Sequence, residues 1–407
     1  MSSVTTYRYT VRDRTGKTRN GTLEATDQKV VAARLREMGF APVSITAVKS
    51  AGLQREISIP GFRPKVDLEA LAVFSRQFAT MIGSGVSLIR SLNILAEQTE
   101  NTKLAGIVGE LRTEIEAGRS LSDSMRRHED FPALYIAMVR AGETAGNLDA
   151  VLLRIADTLE KDLNLRRKIK AALTYPGVVL VLALLLTIVM LTFIVPTFVG
   201  MFEQLGGELP LPTKVMLLLS SLVRKFWWLL MLLPPLAWQG FLRARKVPSV
   251  RFQLDRLKLR VPVFGDLFHK VALARFARNF GTLLRSGVPI LSALEITADT
   301  VNNGVIGNAV NDVKMSVKEG ESIAGPLTRH DVFPPMVVQM IAVGEETGAL
   351  DVMLAKIADF YDSEVESTTE SLTALLEPVM IAVLGGLVGG MVISLYMPMF
   401  KIFDLIQ

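Results

Sequence analysis

The sequence contains no cysteine and only 3 histidines among its 407 residues. Without cysteine there is no disulfide framework, no thiolate metal site and no cysteine nucleophile. Glycine-rich phosphate-binding loops of the GxGxxG and GxxxxGK(S/T) types are absent, and so is an HExxH metal-binding helix. The sequence therefore points away from an enzyme, and it predicts no cofactor.

A large charge excess is also missing. The chain has 45 Lys+Arg against 40 Asp+Glu, a net charge of +5. That small surplus is not typical of a nucleic-acid-binding protein, so we expect no nucleic acid among its partners. Apolar residues, in contrast, make up 50% of the chain, which is far too many for a disordered protein.

Charged residues are missing from three long stretches, 171–202, 226–242 and 378–400, of 32, 17 and 23 residues. About 20 apolar residues suffice for a helix to cross the hydrocarbon core of a bilayer. The second run is at the short limit and has Pro234 and Pro235 near its middle. A buried core helix is the alternative for each run. We predict a multi-pass protein with three transmembrane helices in contact with the lipid bilayer.

The flanking cations orient these spans. Basic residues precede the first run (166–170) and follow the second (243–246), whereas the segment 203–223 carries a single cation, Lys214. By the positive-inside rule, the N-terminal and central soluble regions are cytoplasmic, and the connector and the C-terminal tail are extracytoplasmic. Residues 1–60 are polar and strand-like, so we expect no signal peptide ahead of the spans.

The chain contains an internal duplication at a fixed offset of 202 residues. Residues 71–92 and 273–294 are identical at 10 of 22 positions, and residues 131–160 and 333–362 at 12 of 30. Two distant blocks that share one offset indicate a tandem repeat. Each copy comprises a soluble domain and a transmembrane helix, and the second span is an insert between the copies.

Within each copy the apolar residues recur at helical spacing, as in Leu71, Phe74, Phe78 and Met81. We predict an antiparallel bundle of six helices per copy, whose last helix continues into the membrane. Residues 1–50 instead alternate like a β-hairpin followed by a helix and a strand. The predicted fold class is an all-α membrane protein with two homologous cytoplasmic six-helix bundles and a small N-terminal ββαβ module.

These patterns divide the chain into ten predicted segments. They are an N-terminal ββαβ cytoplasmic module (1–50), a linker (51–66), cytoplasmic helical bundle 1 (67–172), transmembrane helix 1 (173–198), an extracytoplasmic connector (199–221), transmembrane helix 2 (222–242), a cytoplasmic linker helix (243–268), cytoplasmic helical bundle 2 (269–375), transmembrane helix 3 (376–400) and an extracytoplasmic tail (401–407).

A glutamate beside a glycine turn occurs once in each copy. The residues of interest are Glu143, Gly146 and Asp149, and their equivalents Glu345, Gly348 and Asp351. We interpret the glutamate as the anchor of a turn between helices and the aspartate as the cap of the next helix. A general acid would need a second titratable group near a substrate, and the motif has no such companion. A divalent cation held partly by Glu143 or Glu345 is the other interpretation.

Two further groups of residues are candidates for interactions. Arg76 and Arg278 are equivalent in the two copies, and a salt bridge and a partner-facing cation suit them equally. Small-xxx-small spacing lets membrane helices approach closely, and the third run has it at Gly385, Gly386, Gly389 and Gly390. A contact within the chain and one between copies of the chain fit these glycines equally well.

Together these features resemble the inner-membrane platform proteins of type IV pilus and type II secretion systems, the PilC/GspF family. The likeness covers nearly the whole chain: LKLRVPVFGDLFHKVALARFARNFGTLLRSGVPILSALEI (257–296), both GE-x-x-G-x-L-D segments, both Phe-Pro turns and the three-span layout. The resemblance implies a non-enzymatic scaffold of the cytoplasmic (inner) membrane, with six-helix soluble domains. It also implies, as an alternative to a purely structural role, a calcium site that includes Glu143.

The same resemblance implies the partners: a cytoplasmic hexameric secretion ATPase, pilins or pseudopilins, other inner-membrane assembly proteins and further copies of the chain. The expected role is to couple the ATPase to extraction of pilins and filament assembly. A channel or transporter component is the alternative, although the runs carry none of the ionisable residues that transport pathways need. We also expect the basic residues 166–170 to contact the acidic second copy near 368–370.

Overall fold

The computed structural model describes residues 5–12, 18–25, 28–37, 41–47, 65–204, 210–245 and 247–406. The chain divides into two compact units, Met1–Pro64 and Lys65–Gln407.

The described residues of the N-terminal unit form three strands and one helix. Strands β1 (Thr5–Arg12) and β2 (Thr18–Ala25) are followed by helix α1 (Gln28–Glu37) and strand β3 (Ala41–Ala47). The strands pair antiparallel in the order β2-β1-β3. Val31 and Leu35 lie four residues apart on one face of α1 and are fully buried. Asp27 directly precedes this helix in the sequence and is of a residue type that favours N-caps, but it lies outside the described residues.

The second unit is helical throughout its described ranges, as the periodicity predicted. Six helices form the first copy: α2 (Leu68–Gly83), α3 (Leu88–Gln98), α4 (Thr102–Glu116), α5 (Leu121–Met125), α6 (Ala133–Ala145) and α7 (Leu148–Val189). A π-helical turn (Met190–Ile194), α8 (Val195–Gln204), α9 (Leu211–Ala244) and α10 (Pro248–Arg260) follow. The second copy comprises α11 (Phe264–Arg285), α12 (Ile290–Thr300), α13 (Gly304–Lys318), α14 (Ala324–Leu327), α15 (Pro335–Thr347) and α16 (Leu350–Ile406).

The two copies bury equivalent aromatic rings. Phe74 contacts Phe131 with ring centroids 6.4 Å apart, and Phe276 contacts Phe333 at 5.0 Å. All four rings are at most 4% exposed and belong to one continuous apolar core that extends through both bundles. Aromatic side chains of this size contribute much of the burial that drives folding. The bundles are thus fused into one packed body, not tethered as separate domains.

Two helices are long and apolar enough to cross a membrane. They are Leu148–Phe198 and Leu350–Met397, with mean hydropathies of 3.2 and 2.2 over their most apolar windows. Only 11% and 17% of those windows is buried by protein. Exposed apolar surface on this scale is unfavourable in water and normal in lipid. Each helix begins inside a bundle, as predicted for the last helix of each copy.

The region around the second predicted span is bent. Leu211–Leu229 and Met231–Ala244 meet at an angle of 54° and reach the length of a span only as a pair. Phe226 has non-helical backbone angles, and Pro234 and Pro235 lie inside the same helix. Helix α9 also begins at Leu211, well before the predicted start of this span at 222. The linker helix is shorter than predicted, because α10 ends at Arg260 and α11 begins at Phe264.

Candidate functional site: the repeated turn and the helices that enter the membrane

The glutamate of each repeated motif holds the start of a short helix. Glu143 accepts hydrogen bonds from the backbone N–H groups of Leu121 (2.5 Å) and Ser122 (3.0 Å). Glu345 accepts from the equivalent groups of Ile323 (2.9 Å) and Ala324 (3.3 Å). The first N–H groups of a helix lack partners within it and favour a negative charge. The carboxylates therefore fix α5 and α14 against α6 and α15, as anchors of the turns.

The glycines of the motif end the helix that carries the glutamate. Gly146 and Gly348 adopt left-handed backbone angles, with φ of 71° and 68°, which glycine adopts without steric cost. The interpretation of the aspartates as helix caps is wrong. The residue before α7 is Asn147, whose side chain makes no capping bond. Asp149 and Asp351 lie inside the first turn, where a carboxylate interacts with the helix dipole instead.

The calcium option concerns the same carboxylate. Both oxygens of Glu143 are engaged by backbone N–H groups. Among the described residues, no three Asp, Glu or His side chains lie together in a way that would hold a metal ion. A calcium ion usually takes six to eight oxygen ligands, so carbonyl, water or partner oxygens would have to complete a site at Glu143. Calcium binding there stays a prediction for direct measurement.

The equivalent arginines form salt bridges within the bundles. Arg76 Nε and Nη2 each lie 2.6 Å from a carboxylate oxygen of Glu160, and Nη2 also contacts Asp157. The bidentate bond to Arg76 lowers the pKa of Glu160. Arg278 makes the equivalent pair with Asp362, and its side chain is only 6% exposed. Of the two interpretations, the structure favours the salt bridge, which ties the first helix of each copy to the last.

Helices α7 and α16 contact each other through charged side chains in the segments that precede their apolar runs. Lys161 Nζ lies 2.9 Å from Asp359 Oδ1, and Lys168 Nζ lies 2.6 Å from Glu366 Oε1. This is the kind of contact predicted between the basic end of the first copy and the acidic second copy, although it falls at Glu366 and not at 368–370. Exposed pairs of this kind contribute little stability singly. They therefore fix the position of α7 relative to α16 more than they stabilise the contact.

Buried groups lie beside these ion pairs. Leu165, Leu267, Val365 and Leu372 form a small apolar cluster between the two copies. Arg275 Nη2 reaches Asp162 Oδ1 at 3.0 Å, with both side chains less than 20% exposed. The apolar cluster joins α7, α11 and α16, and the partly buried ion pair joins α7 to α11. The two helices that enter the membrane therefore pack against each other and against the first helix of bundle 2.

The membrane segments make few polar contacts. Ser220 Oγ donates to the carbonyl of Leu191 at 2.6 Å, and Thr213 Oγ1 donates to that of Ser394 at 2.6 Å. These bonds join α9 to both long helices. Gly385, Gly386, Gly389 and Gly390 lie on another part of α16, where a side-chain Cβ would meet no atom within 4 Å among the described residues. The described part of the chain does not use these glycines for internal packing.

Sequence reasoning missed several of these contacts. Arg154 Nη1 donates to the carbonyl of Arg285 at 2.6 Å, and Arg275 meets Asp162. The partners are more than 100 residues apart, so no local periodicity reports them. The short helices α5 and α14 complete the six helices predicted for each copy, and Ser120 ahead of Leu121 is a usual N-cap residue. Its side chain does accept a hydrogen bond from Asp123 N.

The comparisons with known families agree with the duplication. The family described as "Type II secretion system (T2SS), protein F" matches residues 74–196 and again 276–398. The starts of the two matches differ by 202 residues, as do their ends, which is the offset read from the sequence. The family described as "Type II secretion system protein F, N-terminal domain" matches residues 2–46.

Curated relatives resemble the chain over almost its full length. The type IV pilus assembly protein PilC of Thermus thermophilus is 45% identical over 397 residues, which cover 97% of this chain and 98% of the relative. PilC of Myxococcus xanthus is 41% identical, over 97% of this chain and 94% of the relative. The type II secretion system protein F of Xanthomonas campestris is 36% identical, over 88% and 89%. With two matched domains in tandem and relatives at this identity, the chain belongs to the PilC/GspF family of type IV pilus assembly and type II secretion proteins.

Proposed function

We propose that the chain is the inner-membrane platform of a type IV pilus or type II secretion system, and that it passes motion from a cytoplasmic hexameric ATPase to pilin or pseudopilin subunits in the bilayer. The supporting observation is helix continuity. Helix α7 runs from Leu148 in bundle 1 to Val189, and α16 runs from Leu350 in bundle 2 to Ile406. Neither bundle is separated from its membrane segment by a loop.

A continuous helix suits this task because it transmits rotation and tilt along its axis. At 1.5 Å per residue, the 42 residues of α7 extend over roughly 60 Å. Pro176 lies inside α7 where the uncharged run begins, and Pro378 is its equivalent in α16. A proline removes one backbone hydrogen bond and bends a helix locally. Each span would therefore swing about a fixed point near the membrane surface when its bundle moves.

The proposed topology has three spans, a cytoplasmic N-terminus and an extracytoplasmic C-terminus. Two helices suffice as spans individually, and the bent pair in α9 is long enough for the third. The proposed partners are the ATPase on the bundles, pilins or pseudopilins beside the spans, other inner-membrane assembly proteins and further copies of this chain. The glycines at 385–390 support self-association, because the described part of the chain leaves them uncovered. We propose a structural role without catalysis.

Insertion of flexible residues tests the coupling. Four glycines placed after Ala172 interrupt α7 at the beginning of the uncharged run, four residues after Lys168, which pairs with Glu366. Filament assembly in a complemented deletion strain should be lost, while the protein remains in the membrane at its normal level. The matched control inserts seven helix-forming residues at the same site, which preserves continuity and nearly preserves the facing of the span. Normal assembly with the glycine insertion would refute the coupling.

A further inference from the structure

The second copy has a groove with an unusual density of arginine where it approaches the membrane. This groove, called the arginine groove here, has a volume of about 500 Å³. It is lined by Arg166, Arg245, Arg251, Asp255, Arg275 and Asn302. These residues come from α7, the end of α9, α10, α11 and the turn after α12, so the fold assembles them from five separate segments.

The carboxylates at the groove are already engaged by protein groups. Asp255 is only 3% exposed and lies 2.6 Å from Lys258 Nζ, and it accepts from Gly304 N at 3.0 Å. Asp162 is shared by two guanidiniums, those of Arg166 and Arg275, each at 3.0 Å. Five cations thus face two carboxylates, which leaves a surplus of three positive charges.

The surplus is concentrated on two arginines. Within the described ranges, Arg245 and Arg251 have no carboxylate within 4.0 Å, and both are exposed. Deeper in the groove, burial lowers the pKa of Arg275, and the positive charge of Arg166 adds to this while Asp162 opposes it. Arginine remains protonated at neutral pH. The groove therefore carries positive charge that the protein does not neutralise.

The duplication provides an internal comparison. A groove of about 480 Å³ in the first copy has two lining positions in common with it, where Val73 and Glu100 are the equivalents of Arg275 and Asn302. Its charged lining residues are Asp67, Glu69 and Glu100, all acidic. The part of the groove formed by α11 and the turn after α12 thus carries opposite charge in the two copies. The first copy packs the equivalent helices with a valine where the second has Arg275, so helix packing alone does not require an arginine at that position.

The groove lies close to the membrane surface. Arg245 directly follows α9, three residues beyond the uncharged run 226–242. Arg166 precedes the run 171–202 by five residues, or roughly 7 Å along a helix. The headgroup layer on each side of the hydrocarbon core has about that thickness. A second groove that shares Arg245, Arg251 and Asn302 is lined by one carboxylate, Asp299, and continues past Asn308 and Asn311. The amides of these two asparagines are suited to hydroxyl groups.

We propose that the arginine groove binds a phosphate group, that of an anionic phospholipid headgroup or of a free phosphate ester. Guanidinium donors match phosphate oxygens in geometry and charge, and they bind them in bidentate fashion. Basic pockets on the cytoplasmic side of membrane helices are suited to anionic headgroups. Such a ligand would join α7, α9 and bundle 2 at the point where they leave the bilayer.

The test uses the full chain, purified in detergent, and native mass spectrometry to count bound phosphatidylglycerol against phosphatidylcholine. The variant R245Q/R251Q removes the two arginines without carboxylate partners. It should weaken phosphatidylglycerol binding roughly thirtyfold, from the usual contribution of two cations near an anionic surface. The matched control, R256Q/R260Q, removes two exposed cations of α10 that do not line the groove, and it should change binding by less than about threefold. Unchanged thermal unfolding would show that both variants are folded.

A second arm identifies the source of the phosphate. Glycerol 1-phosphate and inorganic phosphate are titrated against the delipidated chain. Saturable binding that R245Q/R251Q abolishes, at an affinity equal to that of phosphatidylglycerol, would assign the groove to a free phosphate ester. Tight binding of phosphatidylglycerol alone would assign it to lipid. Equal losses in the groove and control variants, or no loss in the groove variant, would overturn the proposal.

Discussion

Replacing Glu143 by glutamine should destabilise the first bundle measurably. The carboxylate accepts two backbone hydrogen bonds, at 2.5 and 3.0 Å, from the start of α5. Glutamine has one oxygen acceptor, and its amide nitrogen would face an N–H donor, so one of the two bonds is lost. A hydrogen bond to a charged group contributes about 1.5–3 kcal/mol to the free energy of unfolding.

This loss predicts a clear thermal shift. A change of 1 kcal/mol moves the unfolding midpoint of a body of 150–250 residues by roughly 2–4 °C, so a decrease of about 3–12 °C is expected. The assay is thermal unfolding of the full chain in detergent, with calcium and with a chelator. If Glu143 is an anchor of the turn, E143Q has the same effect in both buffers.

Two matched variants sharpen the result. E345Q removes the equivalent anchor of the second copy and should lower the midpoint similarly. E346Q changes the exposed neighbouring residue and should stay within about 0.5 kcal/mol of the original protein. If the chelator alone lowers the midpoint of the unsubstituted chain as much as E143Q does, and E143Q shows no further loss, the anchor interpretation is refuted and calcium binding is supported.

Three further outcomes are expected from the same thermal assay. G344A should cost about 1–3 kcal/mol, because its Cβ would lie 2.9 Å from Leu350 Cα. Reversing the charge of Lys168 alone, or of Glu366 alone, should lower stability by less than about 1 kcal/mol, and reversing both should restore it. R76Q should lower the midpoint at pH 7, and its difference from the original protein should shrink below about pH 4. The reason is that Arg76 lowers the pKa of Glu160 in the folded state. The stabilisation by this ion pair is therefore present above the pKa that Glu160 has in the unfolded chain, and it is lost as the pH falls through the lower pKa of the folded state.

Each of these predictions has its own control. G109A adds a methyl group where no atom lies within 4 Å, so it should be neutral or stabilising by up to about 1 kcal/mol in its helix. Failure of the double charge reversal to restore the midpoint would show that Lys168 acts elsewhere, for example on lipid headgroups. If the difference in unfolding midpoint between R76Q and the original protein grows as pH falls, the assigned direction of the pKa shift of Glu160 is contradicted.

Features that repeat in the chain were predicted best. The offset of 202 residues alone predicts that Glu143 and Glu345 have matching surroundings, and likewise Arg76 and Arg278, and both pairs do. The long helices followed from uncharged runs that begin directly after amphipathic segments. Signals of this kind are local or periodic, and the sequence reports them directly.

Contacts between distant segments were not predictable. Asp162 is shared by Arg166, four residues away, and by Arg275, which belongs to the other copy. Nothing in the periodicity of either helix specifies that second pairing. The bend of 54° in α9 lies between Leu229 and Met231, a few residues before Pro234 and Pro235, so the prolines marked the region but not the position of the bend. The assignment of Asp149 as a cap failed because α7 already begins at Leu148, with Asn147 as the residue before it, so the turn is shorter than a cap at Asp149 requires.

The two ion pairs between α7 and α16 share one spacing. Lys161 meets Asp359 and Lys168 meets Glu366, so both pairs are separated by 198 positions, four fewer than the 202 that relate the copies. Each lysine therefore meets a carboxylate that lies one helical turn, roughly 6 Å along the axis, before the lysine's own equivalent in the second copy. The reciprocal positions hold Asp157 with Ser363 and Asn164 with Glu370, which cannot form ion pairs. The duplication thus repeated the helices, whereas this charged contact is made in one direction only, from a lysine of the first copy to a carboxylate of the second.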